Sequence, residues 1–173
     1  MYPVQDDLRE FRARLDEGSI QRAYGALLAY VATLRTHFER TAVPYRVSAL
    51  YQGCLDMTYF ALFPPALHRR GLKVAVVFDY GAFRFEAWLA GTNREVQRAF
   101  WQVLRDADLP GCRIVTPATG VDAIVERDLT GPVDLADPDA LTRTIERATL
   151  EFVGDVERFL DGCRTGPPTH REP

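Results

Sequence analysis

The chain has 173 residues, 47% of them apolar and 26% charged, enough for one domain to bury a sizeable core without staples. A net charge of −3 supplies no positive field that would gather nucleic acid or an anionic membrane surface, so neither partner is expected. Three cysteines, Cys54, Cys112 and Cys163, without CxxC spacing suggest neither a disulfide framework nor a thiolate zinc site, and Cys54 and Cys112 read as small core residues.

Met1 to Glu10 is polar and acidic where a secretory leader needs basic and then apolar residues, which makes a cytoplasmic location the expectation. Asp6 and Asp7 open a first helix with Leu8, Phe11 and Leu15 at helical spacing, and Gly18 stops it. Ser19 is the expected cap of a second helix carrying Ile20, Tyr24, Leu27, Val31, Leu34 and Phe38 along one stripe to about Arg40, ahead of Pro44. The longest apolar helical stretch, Leu27 to Leu34, falls far short of the ~20 residues that cross a bilayer.

Tyr51 to Phe63 then reads as one long strand, with the odd positions apolar and the even positions Gln52, Cys54, Asp56 and Thr58 mostly polar. Pro64 and Pro65 end it, a helical turn covers Ala66 to Arg70, and Leu72 to Phe78 is a nearly continuous apolar strand suited to the centre of a sheet. Asp79, Tyr80 and Gly81 turn into a third strand, Phe83 to Ala90. Thr92 with Glu95 reads as a capping box for a helix buried through Val96, Phe100 and Leu104. Two further strands are expected near Arg113 to Thr116 and Val121 to Leu129. Asp137 and Pro138 open a long last helix that Gly162 stops, and the proline-rich residues 164–173 are predicted to be a disordered tail.

The resulting expectation is one α+β domain over residues 1–163, in the order ααβββαββα, with a largely antiparallel sheet of about five strands and helices mainly on one face. The segments Leu34 to Phe38, Tyr51-Gln52-Gly53 with Asp56 to Phe60, Phe83 to Glu86 with Trp88 to Gly91, and Asp139 to Thr142 together resemble an uncharacterised, mainly bacterial family, a domain of unknown function. That resemblance implies a domain and carries no reaction, cofactor or catalytic residue.

If the strands pair in chain order, Gln52, Cys54, Asp56, Thr58, Lys73, Arg84, Glu86 and Trp88 project from one side of the sheet. Three readings of that surface stand open: a solvated face with cross-strand charge pairs, a ligand or partner surface built on Trp88, or a charged network buried beneath the C-terminal helix. The order of elements also matches metal-dependent nucleases, in which Asp79 and Glu86 would hold a divalent ion. Trp88, however, stands where their lysine is needed, and Asp79 sits out in a turn. His37 is a lone boundary histidine with no second ligand at helical spacing. The function expected is therefore a non-enzymatic binding or interaction domain, with a homodimer possible and no cofactor or metal. Its candidate surface is Gln52, Asp56, Thr58, Lys73, Arg84, Glu86 and Trp88, and the alternative is a divalent-metal hydrolase resembling the nucleases.

Overall fold

A computed structural model describes residues 4–118 and 122–163; the tail predicted at 164–173 and the expected strand start at Val121 lie outside them. Helices α1 (Val4–Asp16) and α2 (Ser19–Thr41) come first, followed by the two-residue strands β1 (Arg46–Val47) and β2 (Tyr51–Gln52). Then come β3 (Met57–Phe63), the short helix α3 (Pro65–His68), β4 (Leu72–Asp79), β5 (Arg84–Gly91) and α4 (Arg94–Leu104). Strands β6 (Cys112–Ile114) and β7 (Ala123–Asp128) and helix α5 (Pro138–Gly162) complete the order. The strands make one antiparallel sheet in the order β1-β3-β4-β5-β7-β6, with β2 also paired to β3. It has seven strands rather than about five, because β1 and β2 are too short to leave an alternating pattern in sequence.

One sheet face is the core. Phe60, Leu62, Val74, Val76, Phe78, Phe85, Ala87 and Leu89 are fully buried there, and ring contacts from Tyr30 to Phe85 and from Phe38 to Phe60 seat α2 on it. The long last helix packs on the same face. Arg127, which pairs across the sheet with core-facing Ala87, reaches Asp155 of α5 at 2.6 Å and lies over the Phe152 ring. The third reading of the charged face is thereby corrected: α5 covers the apolar side of the sheet and not the charged one.

The single strand expected from Tyr51 to Phe63 is two strands joined by a tight loop. Gly53 donates to the Met57 carbonyl at 2.9 Å, Met57 donates to the Asp56 carboxylate at 2.7 Å, and Leu55 adopts φ 60°. A Cβ on Gly53 would stand 2.0 Å from that carboxylate and 2.7 Å from the Met57 carbonyl oxygen, so only glycine lets the loop close. The loop leaves the pleat in phase, since Tyr51 pairs with Tyr59 and Gln52 with Thr58 and each parity keeps its face across it. In β3 the even residues Thr58, Phe60 and Leu62 turn into the core and the odd residues Met57, Tyr59 and Ala61 face away, the reverse of the expected parity. Within residues 57–63 both alternating sets are apolar, and the polar signal came from Gln52, Cys54 and Asp56, which lie in β2 and the loop.

Three local expectations also change. Gly18, with φ 71°, is the N-cap of α2 and Ser19 is already helical. Asn93, not Thr92, caps α4, accepting from the Val96 N–H at 2.9 Å. Cys54 is exposed in the loop rather than in the core. Helix α1 keeps its predicted stripe but buries no residue, with Leu8 and Phe11 about half exposed.

His37 bridges the helices, its Nε2 lying 2.9 Å from a Glu146 carboxylate oxygen while the Thr41 hydroxyl donates to the other at 2.6 Å. Burial pushes the Glu146 carboxyl up, but the hydrogen bonds from Thr41 and His37 and the His37 charge outweigh it and hold the group below its ordinary value of 4.5. A depressed folded value stabilises above the unfolded value, and that stability is lost as the pH falls through the folded one. Urea unfolding should therefore show Glu146→Gln less stable than the native chain above pH 4.5, with the gap closing as the pH falls further. A gap unchanged in acid would show that the carboxylate charge plays no part.

Candidate functional site

On the face away from the helices, register sets three rows of neighbours. Tyr59, Val77, Glu86 and Asp128 lie opposite one another, as do Ala61, Ala75, Trp88, Glu126 and Arg113, and Lys73 lies opposite Ala90. Small residues in the middle strand between large ones on either side leave a groove of about 280 Å³. Ala75 and Val77 form its floor, Met57 and Tyr59 line it from β3, and Glu86, Trp88 and Ala90 line it from β5. Lys73 and Asp79 lie six residues apart along β4, roughly 20 Å at strand rise. Arg113, Glu126 and Asp122 complete the lining from β6, β7 and the segment before β7.

Glu86 organises this surface although it is only 1% exposed. One carboxylate oxygen accepts from the Arg84 guanidinium at 2.8 Å and the other accepts from the Trp88 indole N–H at 2.7 Å. Arg84 also meets Asp128 at 3.0 Å. Both lone-pair faces of the buried acid are thus engaged, as a buried carboxylate requires, and the indole is held in place at the groove wall. Beyond it, Arg113 pairs with Glu126, and Asp122 lies 3.5 Å from Arg94. Burial, followed by the charges of Asp122 and Tyr51, pushes the Tyr59 phenol up, so it stays a neutral hydroxyl beside the groove.

Of the seven residues expected on one surface, Lys73, Glu86 and Trp88 line the groove and Arg84 borders it through Glu86. The other three lie elsewhere. Thr58 is buried on the core side, 3.3 Å from the Tyr80 hydroxyl. Gln52 donates to the Tyr24 hydroxyl at 3.1 Å and borders a second, more open apolar trough with Phe11, Leu15 and Leu55. Asp56 is spent on the loop, bonding the Met57 N–H. Sequence reasoning missed Met57, Tyr59, Ala75, Val77 and Arg113. Only the pairing register, which places alanine and valine beside Trp88 and Tyr59, reveals them.

The carboxylates of the nuclease-like reading are engaged otherwise. Asp79 accepts from the Gly81 and Ala82 N–H groups at 2.7 and 3.1 Å, and Glu86 is occupied by Arg84 and Trp88. Among the described residues no group of three or more His, Cys, Asp or Glu side chains is placed to hold a metal, and no helix is long and apolar enough to cross a membrane. No curated protein and no solved structure matches the chain. The model of the family described as a domain of unknown function, DUF7000, matches residues 4–160, so the chain belongs to that family.

Proposed function

We propose that this domain is a non-catalytic module that binds a small molecule in the groove along β4. The observation carrying this reading is the Glu86 latch: a buried carboxylate orients a half-buried indole over a floor of Ala75 and Val77. A solvated sheet face needs no such device, because exposed charge pairs contribute only about 0.2–1 kcal/mol whatever their neighbours. An apolar concavity with a few convergent polar groups, built on strands rather than loops, suits recognition of a compact ligand. Its volume is at the small end for ligand sites, which favours a molecule of one or two rings over a peptide or nucleotide.

Screening small ring compounds by heteronuclear NMR tests this reading. Ligands are expected to shift the amide resonances of Ala75, Val77 and Trp88, and Trp88→Ala should weaken them about tenfold or more while the spectrum stays that of a folded chain. Hits confined to the trough beside α1, or an affinity indifferent to Trp88→Ala, would remove the groove from consideration.

A further inference from the structure

We infer that the groove's ligand is a monoanion, an apolar ring body whose single carboxylate or comparable group meets the Lys73 ammonium. This inference rests on the binding reading above and adds the charge of the ligand. Six charged residues line the groove: Lys73, Asp79, Glu86, Arg113, Asp122 and Glu126. Each of the four acids already has donors: Arg84 and Trp88 for Glu86, Arg113 for Glu126, Arg94 for Asp122, and two turn amides for Asp79. Arg113 is in turn occupied by Glu126. Lys73 differs from all of them, its ammonium forming no ion pair and no hydrogen bond with any described residue.

Lys73 is also the only lysine of the chain, where every other fixed side-chain cation is an arginine. It projects from the central strand opposite Ala90, with Trp88 its diagonal neighbour across the register, a spacing of roughly 7–8 Å that a side chain of this length spans. A ligand ring on the Trp88 indole would therefore carry its charged group within reach of the ammonium. The cation is half-buried and set against alanine, so an anion arriving there meets a partly desolvated partner without displacing an existing one. Charge also limits the ligand from the other side. Glu126 and Asp122 border the same concavity, so a second negative group would face carboxylates rather than a free cation, which disfavours dianions such as phosphate monoesters.

The experiment uses matched acid and amide pairs, naphthylacetate with naphthylacetamide and indoleacetate with indoleacetamide, titrated into the full chain and followed at the Ala75, Val77 and Trp88 amides. The acids should bind about tenfold tighter than their amides. Lys73→Met should bring each pair within about twofold by weakening only the acid, and Lys73→Arg should restore most of the preference. Equal affinities in the native chain, or a preference that survives Lys73→Met, would overturn the anion inference and leave the binding reading intact, because the amides would still map to the groove. If no acid or amide shifts those three resonances, the binding reading itself falls, and this inference with it.

Discussion

Replacing Glu86 by alanine is expected to destabilise the chain by about 3 kcal/mol. The carboxylate is 1% exposed and accepts from two different side chains, so truncation does not simply delete a contact. It leaves the Trp88 N–H without its acceptor and strips Arg84 of its closest counter-charge, and unsatisfied groups in a dry setting cost more than the bonds they made. The cost stays below that of a fully buried orphaned ion because Arg84 is 29% exposed and keeps Asp128 at 3.0 Å. Urea unfolding measures this as a shift in midpoint at constant slope. Asp128→Ala serves as the contrast: its side chain is 55% exposed, and its loss should move stability by no more than about 0.5 kcal/mol. If Arg84→Met and Glu86→Leu together recover most of the loss, the penalty was that of uncompensated charge. A Glu86→Ala cost below about 1 kcal/mol would mean that the indole is not latched in the way described.

Phe78→Ala should have the largest effect, about 4 kcal/mol, seen as a fall of roughly 10 °C in Tm. Phe78 is fully buried, with its ring 4.9 Å from Tyr80, 5.4 Å from Phe83 and 5.1 Å from Phe85. Phe83 is held over it with φ 51°, in a left-handed conformation that costs a bulky residue of order 1 kcal/mol or more, which the packed aromatic cluster offsets. Phe78 follows Val77 in β4, so it clamps from the core side the strand whose other side floors the groove. A loss near 1 kcal/mol would show that the turn repacks around the vacancy.

The helical period was legible wherever packing obeyed it. The spacing of Leu27, Val31, Leu34 and Phe38 names the buried stripe of α2, and Asp137 with Pro138 fixes the start of α5, where the Asp137 carboxylate accepts from the Ala140 N–H at 2.9 Å. Period alone does not say whether a stripe is covered. Helix α1 has the same spacing as α2 and buries nothing. In the sheet, β5 was readable because Arg84, Glu86 and Trp88 alternate with Phe85, Ala87 and Leu89. Strand β3 was not, because Met57, Tyr59 and Ala61 are as apolar as Phe60 and Leu62, and the polar residues Gln52, Cys54 and Asp56 that suggested an outer face lie in β2 and the loop. Taking those polar positions as the outer set assigns both faces of the strand the wrong way round, so Thr58 was placed outside and Tyr59 inside. Lys73, Glu86 and Trp88 still share a face as expected, because they sit on β4 and β5, whose alternation was read in the right phase.

Gly91 shows how closely the layers meet: a Cβ there would lie 2.7 Å from the Gln97 nitrogen and 2.9 Å from the Asn93 oxygen, so α4 can begin directly at the end of β5 only because the residue is glycine.

The borders of the sheet carry their own consequence. On one side β3 is flanked by two strands of two residues each, and on the other the sheet ends in β6, three residues long. Neither border offers a foreign strand more than a few consecutive backbone donors and acceptors, so growth into fibrils by adding chains edge to edge is discouraged. Copies that associate would do so through side chains on broad faces, such as the uncovered stripe of α1, and not by extending the hydrogen-bonded ladder.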